Sequence, residues 1–192
     1  MAISAVILSG GRATRMGGLD KGLVNLNGKP LVKHVIERIQ PQVDELFINA
    51  NRELDTYKSF GISVFTDEQA DFIGPLAGFY VGLSQARHPY LLTVPCDSPY
   101  IPMDIANRLY RGLTELNVDI AVAKSNGDTH PVISLCRTST LPSLVTAIHA
   151  GERKVSAWQK SLRYSEVTFD DCAEAFINLN TLQDVARLDS QS

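Results

Sequence analysis

Short apolar runs alternate along this chain with longer segments in which apolar residues recur at helical spacing. Residues 3–8 form an apolar run that ends on Ser9-Gly10-Gly11, the pattern of a buried strand entering a glycine loop. Similar runs predict strands at 45–50, 62–65, 90–94, 119–123, 132–136 and 164–169. Between them, Leu31, Val35, Ile36 and Ile39 share one face of a helix over 31–40, with Pro30 suited to its first turn and Pro41 closing it. Further helices are predicted at 52–60, 75–86, 103–116, 141–149, 155–162 and 182–188. Asn27-Gly28 marks a tight turn, and Asn126-Gly127-Asp128 a loop between two strands.

Strands alternating with helices predict an α/β fold with a mainly parallel central sheet flanked by helices, as one unit over residues 1–192. Such sheets bind ligands outside the carboxyl ends of their strands. Here the strand exits carry Ser9-Gly10-Gly11, Asn49, Asp67 and Asp97, so one edge collects polar and glycine residues from four strands.

Composition narrows the function classes. The formal charge of −3, without a basic stripe, argues against a nucleic-acid partner, so a phosphorylated ligand must be held by local cations and backbone amides. No apolar stretch approaches the roughly 20 residues that span a bilayer, and the first residues lack the pattern of a signal peptide. A cytoplasmic protein without membrane contact is expected. Cys96, Cys136 and Cys172 match neither a redox nor a zinc spacing and read as reduced, half-buried thiols.

The densest chemistry lies between Leu8 and Lys21, where four glycines and three cations share one loop. Glycines let the backbone approach a ligand, and successive N–H groups can cradle an anion. Arg15 and Lys21 add charge for phosphate oxygens. The loop is neither a P-loop, which needs G-x-x-x-x-G-K-[ST], nor a G-x-G-x-x-G dinucleotide fingerprint. Asp97 follows an apolar strand and stands between Pro95 and Pro99. A single hard-oxygen ligand of this kind suits Mg²⁺ when a triphosphate completes the shell. The plainer alternative is a turn aspartate or a cap of the helix predicted after Pro102. Asp67 and Asn49 could read a base or serve as turn residues. Asn178 and Asn180 alternate onto one face, and Asn180 or Thr181 could cap the last helix. His130, before Pro131 in a loop, is a further candidate for ligand contact, whereas His34, His88 and His149 read as ordinary helix or loop residues.

The string from Leu8-Ser9-Gly10-Gly11 through Arg15-Met16-Gly17-Gly18 to Asp20-Lys21 resembles the signature loop of the molybdenum cofactor nucleotidyltransferases. The likeness continues at Asn25-Leu26-Asn27-Gly28-Lys29-Pro30-Leu31, Asn49-Ala50-Asn51-Arg52, Gly74-Pro75-Leu76-Ala77-Gly78 and Pro95-Cys96-Asp97-Ser98-Pro99. It resumes at His130-Pro131, Ala150-Gly151-Glu152-Arg153-Lys154 and Phe176-Ile177-Asn178-Leu179-Asn180-Thr181, and so covers nearly the whole chain. Ser9 departs from the alanine common in the family, and Gly10-Gly11 resembles its guanylyl-transferring branch rather than the cytidylyl-transferring one. The resemblance implies a Rossmann-like nucleotidyltransferase fold whose N-terminal part mainly binds nucleotide and whose C-terminal part contributes to acceptor binding. It implies GTP and a molybdopterin-type acceptor as substrates, Mg²⁺ as cofactor, and room for transient contact with molybdoenzymes or other cofactor-biosynthesis proteins. It places Leu8, Ser9, Gly10, Gly11, Lys21, Asn49, Asp67 and Asp97 on nucleotide or metal, with Asp97 as the metal ligand. Arg15, Asn178 and Asn180 fall near the acceptor, and Asp97, Lys21 and Arg15 carry the chemistry.

The rivals are cytidylyl transfer to the same acceptor, nucleotidyl transfer to a sugar phosphate, a non-catalytic pterin or nucleotide carrier, and a kinase or NTPase. A carrier has no need of a metal carboxylate, and the missing P-loop weighs against an NTPase.

Overall fold

The computed structural model describes residues 1–9, 20–67 and 74–177. Among them, seven strands form one sheet in the order β5-β4-β1-β6-β8-β7-β9: β1 (Ile3–Leu8), β4 (Glu45–Asn49), β5 (Ser63–Phe65), β6 (Tyr90–Pro95), β7 (Ile120–Ser125), β8 (Asp128–Arg137) and β9 (Tyr164–Thr168). β1 pairs in parallel with both β4 and β6, β4 with β5, and β7 with β9. β8 runs against both its neighbours. The sheet is therefore mainly parallel with one reversed strand, as the alternating pattern predicts.

Period-two alternation sorts each central strand between two apolar layers. Ile3, Ala5 and Ile7 of β1, Leu92 and Val94 of β6, and Ala121 and Ala123 of β7 point into one layer. Against it pack α1 (Leu31–Ile39) and α4 (Ile105–Glu115), together with Tyr57 of the short α2 (Leu54–Lys58). Val6, Leu91, Ile120 and Val122 point the other way, onto α3 (Pro75–Gln85), α5 (Leu141–His149) and α6 (Val155–Lys160), where Phe79 meets Trp158 edge to face. Both faces of the sheet are thus dry, which is why its strands read as apolar runs. Among the described residues no helix is long and apolar enough to cross a membrane.

Two Asn-Gly pairs turn the chain. Asn27 and Gly28, both with positive φ, join β2 (Asn25–Leu26) to β3 (Lys29–Pro30) in a small separate hairpin. Asn126 and Gly127, also with positive φ, join β7 directly to β8. The segment expected to be a loop is therefore a tight turn, and β8 begins at Asp128 rather than at 132. Pro131 hides this in the sequence because it cannot donate to a ladder. The structure accommodates it at an irregularity opposite Val122 and Ala123. There Gln159 Nε2 donates to the Pro131 carbonyl at 2.7 Å, and Thr93 Oγ1 donates to the Val132 carbonyl at 2.8 Å. Buried side chains thus complete what the ladder leaves open. The chain after β9 differs too: Asp170–Phe176 is a 3-10 segment no periodicity suggested. The helix expected at 182–188 lies outside the described residues.

Candidate active site

The carboxyl ends of β4, β1 and β6 are laced together one residue beyond the strands. Ser9 N–H donates to the Asn49 carbonyl at 2.8 Å, Cys96 N–H to the Leu8 carbonyl at 3.1 Å, and Ala50 N–H to the Phe65 carbonyl at 3.0 Å. This continuation sets Leu8, Ser9, Asn49, Asp67 and Asp97 along one edge, as the strand exits predict. Ser9, Asn49 and Asp97 are buried polar residues in an edge otherwise built on core.

Asp97 forms an ion pair with Lys21, whose side chain reaches it from the 3-10 turn Lys21–Leu23. Asp97 does not cap the helix that follows: Asp104 occupies the N-cap of α4. Among the described residues no group of three or more His, Cys, Asp or Glu side chains is arranged to hold a metal. A divalent ion at this edge would take one carboxylate from Asp97 and its remaining ligands from phosphate and water. The residues fit such an ion, because Asp97 offers a nearly buried carboxylate whose present partner, the ammonium of a flexible lysine, an ion could displace.

The lysine-bearing turn is fixed from behind. Asp20 Oδ1 accepts from Gly22 N–H at 3.1 Å and from the Tyr57 hydroxyl at 2.5 Å. Gly22 has no room for a side chain, since a Cβ there would come within 2.6 Å of the Tyr57 hydroxyl and 3.2 Å of Cys96 Cβ. Burial is the main force pushing the Tyr57 phenol and the Cys96 thiol above their ordinary pKa values, with neighbouring negative charge adding to it, so both are neutral. Cys96 and Cys136 are fully buried rather than half-buried, and Cys172 is intermediate; all three are free thiols.

A second cluster lies toward β5. Asn49 Nδ2 donates to Asp67 Oδ1 at 2.9 Å and to the Phe65 carbonyl at 3.3 Å. Asn51 Nδ2 donates to Asp67 Oδ2 at 2.7 Å, while its Oδ1 accepts from Asp67 N–H at 2.8 Å. Asp67 is therefore an oriented carboxylate rather than a loose turn residue. Helix α3 covers this end through Gly78, where a Cβ would lie 2.7 Å from Leu8 Cδ2 and 2.9 Å from Asn49 Oδ1.

This edge carries a lysine–carboxylate pair at the exit of β6 and an oriented carboxylate at the exit of β5. The MobA-like NTP transferase domain matches residues 5–167, most of the chain. The chain belongs to that family. It is 48% identical over 182 residues to the molybdenum cofactor guanylyltransferase of Shewanella putrefaciens, covering 95% of this chain and 93% of that one. It is 47% identical over 190 residues to the enzyme of the same name from Bordetella petrii, covering 97% and 96%. It also superposes, with a TM-score of 0.79 and 21% identity, on molybdopterin-guanine dinucleotide biosynthesis protein A from Archaeoglobus fulgidus, covering 98% and 97% of the two chains. A 4-diphosphocytidyl-2C-methyl-D-erythritol synthase from Anaerococcus prevotii shares the fold at a TM-score of 0.80 and only 10% identity. The chain is a nucleotidyltransferase, as the opening loop implies.

Of the residues expected in the site, Leu8, Ser9, Lys21, Asn49, Asp67 and Asp97 are brought together. Gly10, Gly11, Arg15, Asn178 and Asn180 lie outside the described residues. His130 is corrected: it sits in β8, not in a loop, and its Nε2 is 2.7 Å from the Ser125 hydroxyl. Its ring stacks on Phe176 at 4.8 Å, at the end of the segment leading toward Asn178. Asn51, Tyr57, Gly22 and Gly78 went unread as contributors. Only tertiary contact exposes them, although a tyrosine buried on a five-residue helix at the sheet edge is a polar tip that needs a partner.

Proposed function

We propose that the chain transfers GMP from GTP to a molybdopterin-type acceptor and releases pyrophosphate. The observation that carries this reading is the Lys21–Asp97 pair at the exit of β6, with the Asp67 carboxylate at the exit of β5 on the same sheet edge. The names of the relatives at 47–48% identity supply the substrates.

The acceptor's terminal phosphate oxygen forms a bond to the α-phosphorus of GTP. The bond from that phosphorus to the bridging oxygen breaks, and pyrophosphate leaves with the electron pair. A phosphate nucleophile is ionised at neutral pH, so the reaction needs no general base, and catalysis rests on positioning and charge. Asp97 would hold Mg²⁺, which when bound supplies Lewis-acid polarisation of the phosphate oxygens. Lys21, displaced from Asp97 toward the phosphates, takes up charge on the leaving group. Asp67 accepts from the N1–H and exocyclic amine of guanine with the lone pairs that Asn49 and Asn51 leave open.

The test is pyrophosphate release with molybdenum-loaded pterin and Mg²⁺, comparing GTP, CTP, ATP and UTP. Release with GTP alone is expected, falling about 10²–10³-fold in Asp97→Ala and in Lys21→Ala, the usual loss for one preorganised charge contact. Preference for CTP would reassign the base pocket. Binding of GTP without any release would replace catalysis by a carrier role.

A further inference from the structure

Helix α2 carries no residue expected on the nucleotide, yet it buries a tyrosine whose hydroxyl points at the turn bearing Lys21. Tyr57 is fully buried, packs edge to face on Phe60, and donates to Asp20 Oδ1 at 2.5 Å. The same oxygen accepts from Gly22 N–H, so one carboxylate atom ties the helix to the turn on either side of Lys21. The fit is tight, because Gly22 has no space for even a methyl group between the Tyr57 hydroxyl and Cys96. Cys96 in turn is the residue before Asp97, and Ser9 places a buried hydroxyl in the same corner. The turn that carries the lysine and the strand exit that carries the aspartate therefore close on one buried contact.

We infer that Tyr57 is a positioning residue for the transfer reaction, acting through Asp20 to hold the Lys21 ammonium at Asp97 and at the phosphates that replace it. This deepens the nucleotidyl-transfer reading and rests on it for the identity of the phosphates. The contact itself is a property of the nucleotide-free protein. A flexible lysine four carbons from its backbone gains precision only if that backbone is fixed. Small displacements of such groups cost large factors in rate. The 3-10 turn is a single turn of helix, too short to fix itself by its own hydrogen bonds.

Two experiments decide the matter. The first is amine labelling of nucleotide-free protein, read at Lys21 by mass spectrometry. Tyr57→Phe keeps the ring in the core and removes only the hydroxyl. Lys21 is expected to label several-fold faster in this variant, with the other lysines unchanged. An unchanged rate at Lys21 would overturn the inference. The second is a cycle of Tyr57→Phe, Lys21→Ala and the double variant in the pyrophosphate assay. Tyr57→Phe is expected to lower kcat about tenfold with KM for GTP within a factor of about two, and to add nothing once Lys21 is gone. A merely structural tyrosine predicts a lower Tm with additive losses, and that result would equally overturn the inference. If the wild-type protein binds GTP and releases no pyrophosphate, the transfer reading fails and the labelling alone decides the role of Tyr57.

Discussion

Asp67 has a neighbouring amide on each carboxylate oxygen, and one of those amides also accepts from its backbone N–H. Asn51, itself exposed, thus grips Asp67 at two points. Removing it leaves the carboxylate in place through Asn49 but free to rotate. Asn51→Ala is expected to raise KM for GTP about two- to tenfold, the range set by losing about 0.5–1.5 kcal/mol of hydrogen bonding. The kcat should change by less than about twofold, since Asp67 contacts no reacting atom in the proposed mechanism. Inosine triphosphate, which lacks the exocyclic amine, should be nearly insensitive to the substitution if that amine is what the second oxygen reads. Steady-state kinetics with the two nucleotides checks this, and equal losses for both would remove the exocyclic amine from what Asp67 reads. Asp67 and Asn49 were legible in the sequence as polar residues at strand exits. Asn51 was legible only as part of the family-like string Asn49-Ala50-Asn51-Arg52, and its grip on Asp67 comes from the parallel pairing of β4 with β5.

Helix α3 shows how one element can serve both fold and site. Its two internal glycines make equally close approaches to the sheet, Gly78 to Leu8 and Asn49, and Gly82 to Leu91 and Val6. In an isolated helix each would cost about 1 kcal/mol relative to alanine. Their retention here follows from the packing, since a Cβ at either would overlap its neighbours. Gly78→Ala and Gly82→Ala should therefore destabilise the protein by a similar amount, about 1–3 kcal/mol each from overpacking. Only Gly78→Ala should also weaken GTP binding, because only Gly78 abuts Asn49 at the site. Thermal melts and nucleotide titrations on the pair separate the effects, and matched loss of affinity in both variants would make the binding defect a consequence of instability. The helix and its glycines were plain from spacing, but what the glycines touch depends on strands far away in sequence. Elements whose order depends on local pattern were read correctly for the same reason. The reversed strand β8 was read short, because Pro131 looks like a strand breaker until Gln159 and Thr93 are seen to complete its neighbourhood.

At the scale of the molecule, the sheet divides its labour at β8. The strands on one side, β6, β1, β4 and β5, deliver Asp97, Ser9, Asn49 and Asp67 to the edge. On the other side the β7–β8 hairpin and the segment after β9 approach the same edge from the C-terminal part of the chain, the part expected to contribute to acceptor binding. His130 joins the two parts of that second half. It meets Ser125 within the hairpin and stacks on Phe176, which also packs on Phe169 beneath the guanidinium of Arg108. Burial holds the His130 imidazole below its ordinary value of 6.5, against an opposing pull from Asp128. The sign of the consequence follows from proton counting. Above the ordinary value both folded and unfolded chains carry a neutral ring, and the shift costs nothing. As pH falls through about 6.5, the unfolded chain takes up a proton that the folded one resists, so acid favours unfolding. The carboxylates whose ion pairs hold them low, such as Asp119 and Asp171, lose their stabilisation only at more acidic pH. The interval between pH 7.5 and 5.5 is therefore where His130 should dominate. The wild-type Tm is expected to fall across that interval, and His130→Gln, which keeps a neutral hydrogen-bonding side chain near Ser125, should flatten the fall while lowering Tm at pH 7.5 through lost stacking. Parallel curves for the two proteins would mean that the imidazole is protonated without leaving its stack, and that the seam between the hairpin and the chain's last described segment does not depend on a neutral histidine.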